Sequence, residues 1–289
     1  MSTNDNTRIS WSFEVFPPKR TSRVSTIYCT LADLKKLNPD FISVTYGAGG
    51  SSNCQATVEI ANAVKNHYDI DSAAHLPCIA LTKAEVLDQL MRFKAIGVNK
   101  ILALRGDLPA DGSIPQGDFH YASELISFIR SHQEFADLSI FAACYPETHP
   151  DSKNWQEDIN YLKQKVDAGA NGLISQLFFS NDVFYTFLER ARSAGITVPV
   201  EAGIMPVINA RQIERMVSLC KATLPEKFVR VMEKFKDNPE AMFEIGCAYA
   251  VDQIIDLIAH GVDGIHLYTM NNPRVASRIY ESVRSVIGR

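Results

Sequence analysis

Eight strand-like apolar segments recur about every 30 residues along the 289-residue chain, and a stretch with helical periodicity follows each one. The segments are SFEVFPP, FISVTYGA, SAAHLPCIA, KILALRGD, IFAACYPE, GLISQLFF, VEAGIMPV and GIHLYTM. Most are continuous apolar runs rather than alternations, as expected of strands in a parallel sheet covered on both faces.

The intervening segments carry helix start and stop signals. In LTKAEVLDQLMRFKAIGVNK, Thr82 and Glu85 form a capping box, Leu87, Leu90, Met91 and Ile96 share a face, and Gly97 ends the helix. Two further helices stop the same way, at Gly169 and Gly195. With no Pro/Gly/Ser-rich linker between them, eight such units predict an α/β fold, a single (β/α)8 TIM barrel over residues 1–289. TLPEKFVRVMEKFKDNPEAM supplies an extra helix before the last full helix. A doubly wound open sheet is the alternative, but its G-x-G-x-x-G marker after the first strand is absent.

Composition narrows the function. A formal net charge of −4 offers no basic footprint for nucleic acid. The polar start MSTNDNTRISW lacks the apolar core of a signal peptide, and no run is long enough to span a membrane, so a cytoplasmic protein is expected. The six cysteines are scattered without a C-x-x-C pair, which suggests neither a disulfide framework nor a metal site. No lysine stands at a strand's C-terminal end for Schiff-base chemistry, since Lys100 begins its strand, and no H-x-H motif suggests a metal-dependent hydrolase.

In barrels of this type the active site lies at the C-terminal ends of the strands. Those ends carry Glu14, Thr45 with Tyr46, His75, Arg105 with Asp107, Tyr145 with Glu147, Gln176, and Tyr268 with Asn271. Glu14 sits between Phe13 and Val15, where a carboxylate is either paired or kept for proton transfer with a raised pKa. His75 reads equally as a core histidine or a ligand contact, and the Arg-Gly-Asp triplet as a salt-bridged turn or part of a site. A buried amide at Gln176 needs several partners. Asn209 and Gln212 are spaced as a capping box, and Met216 reads as packing.

The strand ends also resemble, in order, the signature segments of the methylenetetrahydrofolate reductase family: FEVFPPK, SVTYGAGG, AAHLPCI, LALRGDLP, AACYPETHP, KVDAGANGLISQLFF, GIMPV and HLYTMN. The likeness is to the short bacterial form, which implies no regulatory domain after the barrel. It implies an FAD-dependent barrel that reduces 5,10-methylenetetrahydrofolate to 5-methyltetrahydrofolate. NADH or NADPH is the implied donor, in a ping-pong reaction through flavin N5, and a homo-oligomer is implied by family habit. By motif, Glu14 matches the general acid that opens the imidazolidine ring, and Asp107 the carboxylate beside flavin and pterin. Gln176 matches the amide that binds folate, and Gln212, Met216 and Asn272 fall on the substrate side with it. Thr45, Tyr46, Ala48, His75, Leu104, Arg105, Gly106, Asp107, Tyr121, Ala122, Tyr145, His149, Asp158 and Lys165 match positions around FAD. At the last strand, Asn272 stands where the family commonly has an arginine for the folate's glutamate tail, with Arg274 the nearest substitute cation. A flavin-containing folate reductase subunit that takes electrons from a partner protein is the alternative implied function.

Overall fold

The computed structural model describes residues 8–18, 25–46, 52–107, 116–209 and 222–289. Eight parallel strands close into a barrel in chain order: β1 (Ser10–Val15), β2 (Phe41–Val44), β3 (Ser72–Pro77), β4 (Lys100–Leu104), β5 (Ser139–Cys144), β6 (Gly172–Ser175), β7 (Val200–Ile204) and β8 (Gly264–Tyr268). The ring closes where β1 pairs with β8, from Ser10 opposite Gly264 to Glu14 opposite Tyr268. Each expected strand is present.

The described helices are α1 (Ser25–Lys35), α2 (Ser52–Asn62), α3 (Lys83–Ala95), α4 (Ala122–Arg130), α5 (Trp155–Asp167), α6 (Asn181–Ser193), α7 (Glu226–Phe235), α8 (Pro239–Ala259) and α9 (Pro273–Val283). The expected extra helix is α7, which precedes the long α8 between β7 and β8. The Thr82–Glu85 capping box opens α3, and Gly97 follows it at φ +76°, a conformation that favours glycine.

The buried face of α3 differs from the expected one. It comprises Val86, Gln89, Leu90 and Phe93, whereas Met91 is 50% exposed and Leu87 and Ile96 are only partly covered. The helix is turned by about one residue, which brings the Phe93 ring fully into the core.

Outward-facing strand residues such as Trp11, Phe13, Ile42, Ile140 and Ile265 pack under the helices in the main core. The barrel interior is split between two chemistries. On one side Phe41, Ala73, Leu102 and Ile174 form an apolar cluster, with Phe141 against it. On the other side Ser12 Oγ donates to Glu201 Oε2 at 2.6 Å and lies 2.7 Å from His266 Nδ1, while Ser43 Oγ lies 3.2 Å from His266 Nε2. Ser10 Oγ donates to the second Glu201 oxygen at 2.8 Å. Period 2 brings Ser10, Ser12 and Glu14 to one face of β1, so the polar file leads up to the mouth.

Candidate active site

A cavity of about 1080 Å³ opens at the C-terminal ends of the strands. Its wall includes Glu14 from β1, Thr45 and Tyr46 beyond β2, His75 from β3, Leu104, Arg105, Gly106 and Asp107 at the end of β4, and Gln176 beyond β6. Tyr121 and Ala122 at the start of α4, Tyr145 and His149 beyond β5, and Asp158 and Lys165 on α5 complete the polar side. Leu102, Ile174, Leu177 and Met205 contribute apolar wall, as a ligand pocket requires.

Glu14 is the chemically distinctive member. About a fifth of its side chain is exposed, and its nearest titratable neighbour is His75, with Nε2 3.5 Å from Glu14 Oε2. Burial raises the Glu14 pKa to about 8 and depresses that of His75 to about 3. The two therefore meet as a neutral carboxylic acid and a neutral imidazole near pH 7, not as an ion pair. His75 Nε2 is buried and has no hydrogen-bond partner among the described residues.

Cationic groups line the wall at the end of β4 and on α5. Lys165 Nζ donates to Ala143 O at 2.5 Å, and burial lowers its pKa. Arg105 Nη2 donates to Asp151 Oδ2 at 2.8 Å. The salt bridge in the Arg-Gly-Asp turn thus runs to Asp151 rather than to Asp107, which is exposed at the cavity. Asp158 holds the loop after β5, accepting from His149 N at 3.2 Å and from Ser152 Oγ at 3.0 Å. Gln176 Oε1 accepts from Leu177 N at 2.9 Å, and among the described residues its Nε2 has no hydrogen-bond partner.

The family model for methylenetetrahydrofolate reductase matches residues 1–284. The chain belongs to the methylenetetrahydrofolate reductase family. It is 35% identical to the 5,10-methylenetetrahydrofolate reductase of Escherichia coli (strain K12), covering 94% of this chain and 90% of that protein. The protein of the same name from Pectobacterium carotovorum is 34% identical, covering 94% of this chain and 89% of that protein. It is also 35% identical to methylenetetrahydrofolate reductase (NADH) 1 of Arabidopsis thaliana, over 93% of this chain but 47% of that protein. The chain thus spans about half the length of the plant relatives it matches and nine-tenths of the bacterial ones. A solved Clostridium thermocellum protein, described as binding two copies of 5-methyl-5,6,7,8-tetrahydrofolic acid, shares the fold with a TM-score of 0.63 at 12% identity, covering 98% of this chain and 96% of that one.

Most positions that match the methylenetetrahydrofolate reductase motifs therefore converge on one cavity. Ala48, Gln212 and Met216 lie outside the described residues. Asn272 is not on the cavity wall; its side chain caps α9, accepting from Val275 N at 3.4 Å. Arg274, the nearest cation, donates to Glu240 at 2.9 Å and stacks over Phe243. Among the wall residues that escaped the sequence reading, two bear on the polar side. Asp151 neutralises Arg105, and Tyr161 stacks on Tyr121 with ring centroids 6.0 Å apart. Tyr161 carried a usable signal: Asp158, Tyr161 and Lys165 follow i, i+3, i+7 spacing and so share one helix face.

Proposed function

We propose that this chain reduces 5,10-methylenetetrahydrofolate to 5-methyltetrahydrofolate with electrons from NADH or NADPH, using bound FAD, and that the barrel is the catalytic unit. The observation that carries this reading is Glu14, an acid still protonated near pH 7 at the mouth of a cavity on whose wall the family's motif positions converge.

The wall suits a flavin dinucleotide. It is part apolar, carries the cations Arg105 and Lys165, and holds at His75 a buried imidazole nitrogen without a hydrogen-bond partner among the described residues. Arg105, His149 and Lys165 would hold the pyrophosphate and polar ring edges, with Thr45, Tyr46, Leu104, Gly106, Tyr121, Ala122 and Tyr145 along its length. Asp158 would take a ribose hydroxyl by exchanging one of its present bonds. FAD, when bound, supplies hydride transfer from the nicotinamide to the folate's methylene carbon.

The chain's own residues supply the rest. Glu14 holds its proton at a carboxyl oxygen and delivers it to the imidazolidine nitrogen, opening the ring to a cationic iminium. Asp107 offers a carboxylate beside that developing positive charge. Gln176 presents Nε2 to an acceptor on the pterin edge.

An absorption spectrum of the purified protein, followed anaerobically, tests the proposal. Flavin bands that bleach with NADH or NADPH and return with methylenetetrahydrofolate are the expected result. A protein that cannot be reconstituted with FAD would sink it, and a flavin that ignores both nucleotides but passes electrons from a partner protein would replace its donor.

A further inference from the structure

The β1–β8 ladder ends at Glu14 opposite Tyr268, yet the chain beyond Glu14 is held as firmly as a strand. Asn271 does the holding. Its Oδ1 accepts from Phe16 N at 3.0 Å and its Nδ2 donates to Phe16 O at 2.8 Å, so a side-chain amide stands where the next strand residue would be. Thr269 Oγ1 donates to the Glu14 carbonyl at 2.7 Å and accepts from Asn271 N at 3.2 Å. On the other flank, Thr45 N donates to Val15 O at 2.9 Å. Pro17 and Pro18 follow and carry no N–H, so backbone pairing alone could not extend the strand.

The turn that presents Asn271 is itself unusual. Met270 and Asn271 are consecutive non-glycine residues in the left-handed region, at φ 51° and 54°. Asparagine tolerates that conformation, whereas methionine rarely adopts it, and such strain persists where the surroundings over-determine it. Here Thr30 Oγ1 to Asn271 O at 3.5 Å and the α9 cap at Asn272 hold the turn from behind.

We propose that Asn271, with Thr269, is a positioning residue for the proton-transfer step: its amide locks the Glu14–Phe16 backbone so that the Glu14 carboxyl stays at its station opposite His75. The inference rests on Glu14 being the proton donor. Without the lock, the strand end can swing and the Glu14 carboxyl becomes more hydrated than its present one-fifth exposure allows, so the acid is both misplaced and made stronger.

Three variants test this in the intact flavoprotein. Asn271→Gly keeps the left-handed turn while removing the amide, Thr269→Val removes the bond to the Glu14 carbonyl without changing shape, and Glu14→Gln is the reference. Infrared titration of the Glu14 carboxyl, with Glu14→Gln as the blank, should show the midpoint moving about one unit towards acid in Asn271→Gly. Reoxidation of the reduced flavin by methylenetetrahydrofolate should slow about tenfold, with its alkaline limb moving in the same direction, while reduction by NADH changes less than about twofold. Thr269→Val should show the same signs and serves if Asn271→Gly does not fold. An unchanged Glu14 midpoint and pH limb in these variants, with Glu14→Gln inactive towards folate, would overturn the positioning role alone. A Glu14→Gln protein that still reduces folate would overturn the proton-donor reading and this inference with it.

Discussion

At the scale of the residue, the decisive pair is Glu14 and His75, 3.5 Å apart and both uncharged near neutrality. A carboxylate there would be poorly hydrated and would face no cation, so the proton stays on Glu14 until something more basic approaches. Replacement by glutamine keeps the shape and removes the acid. Glu14→Gln is expected to slow folate reduction about a thousandfold, the span of general-acid assistance, while NADH oxidation with an artificial acceptor continues. Equal loss in both reactions would remove Glu14 from the protonation step. The same pKa sets a pH dependence: the acid form is lost as pH rises through about 8, so the folate half-reaction should fall there. A flat single-turnover rate across that range would show that Glu14 does not supply the proton.

At the scale of the element, strand β7 shows how closely the barrel wall is fitted to the site. A Cβ at Gly203 would lie 2.2 Å from Ser175 O and 2.7 Å from Tyr268 Cε2, and Gly203 N donates to Ser175 Oγ at 2.9 Å. The Tyr268 ring crosses this gap so that its hydroxyl donates to Ser175 O at 2.7 Å. Gly203→Ala must therefore move backbone as well as side chain, and a loss of about 3 kcal/mol in urea unfolding is expected, with weaker folate binding because Tyr268 lines the cavity. Wild-type stability in that variant would mean that β6 and β7 separate freely. The strands were legible in the sequence because both faces of a parallel strand are buried, leaving long apolar runs, and their ends were legible because polar residues interrupt those runs at one end. The α3 face was not, because Leu87, Leu90 and Met91 at i, i+3, i+4 fit a helical stripe as well as Val86, Leu90 and Phe93 at i, i+4, i+7, and only the barrel decides between them. Asn271 was legible as a strand-end polar and Asn272 only as a substrate-side position matched by motif. One clamps Phe16 and the other caps α9, and that division depends on a left-handed turn that no residue pattern announces.

At the scale of the whole molecule, the barrel encloses a second set of titratable groups that the cavity does not reach. Glu201 is 5% exposed, accepts from Ser10 and Ser12, and has its pKa raised by burial to about 7; His266 is fully buried and depressed to about 3. Together with Glu14 and His75, two carboxyls titrate above their ordinary range and two imidazoles below theirs. The unfolded chain releases the Glu201 proton near pH 4.5 while the fold keeps it, so the fold loses stability as pH rises from there to about 7. The imidazoles act in the opposite direction. Unfolded histidine takes up a proton near 6.5 and the folded one does not, so stability falls as pH drops from 6.5 towards 3. Between about 4.5 and 6.5 the opposing slopes cancel, leaving a plateau for these groups. Glu201→Gln isolates one slope, since the amide can still serve Ser10 and Ser12 and the residue lies away from the cavity. The wild-type protein should lose about 3 kcal/mol relative to this variant between pH 4.5 and pH 8, measured as the gap in denaturant unfolding free energy. A gap that stays constant with pH would mean that Glu201 is ionised in the fold throughout, and that the hydrogen bonds of Ser10 and Ser12 outweigh the desolvation of its charge.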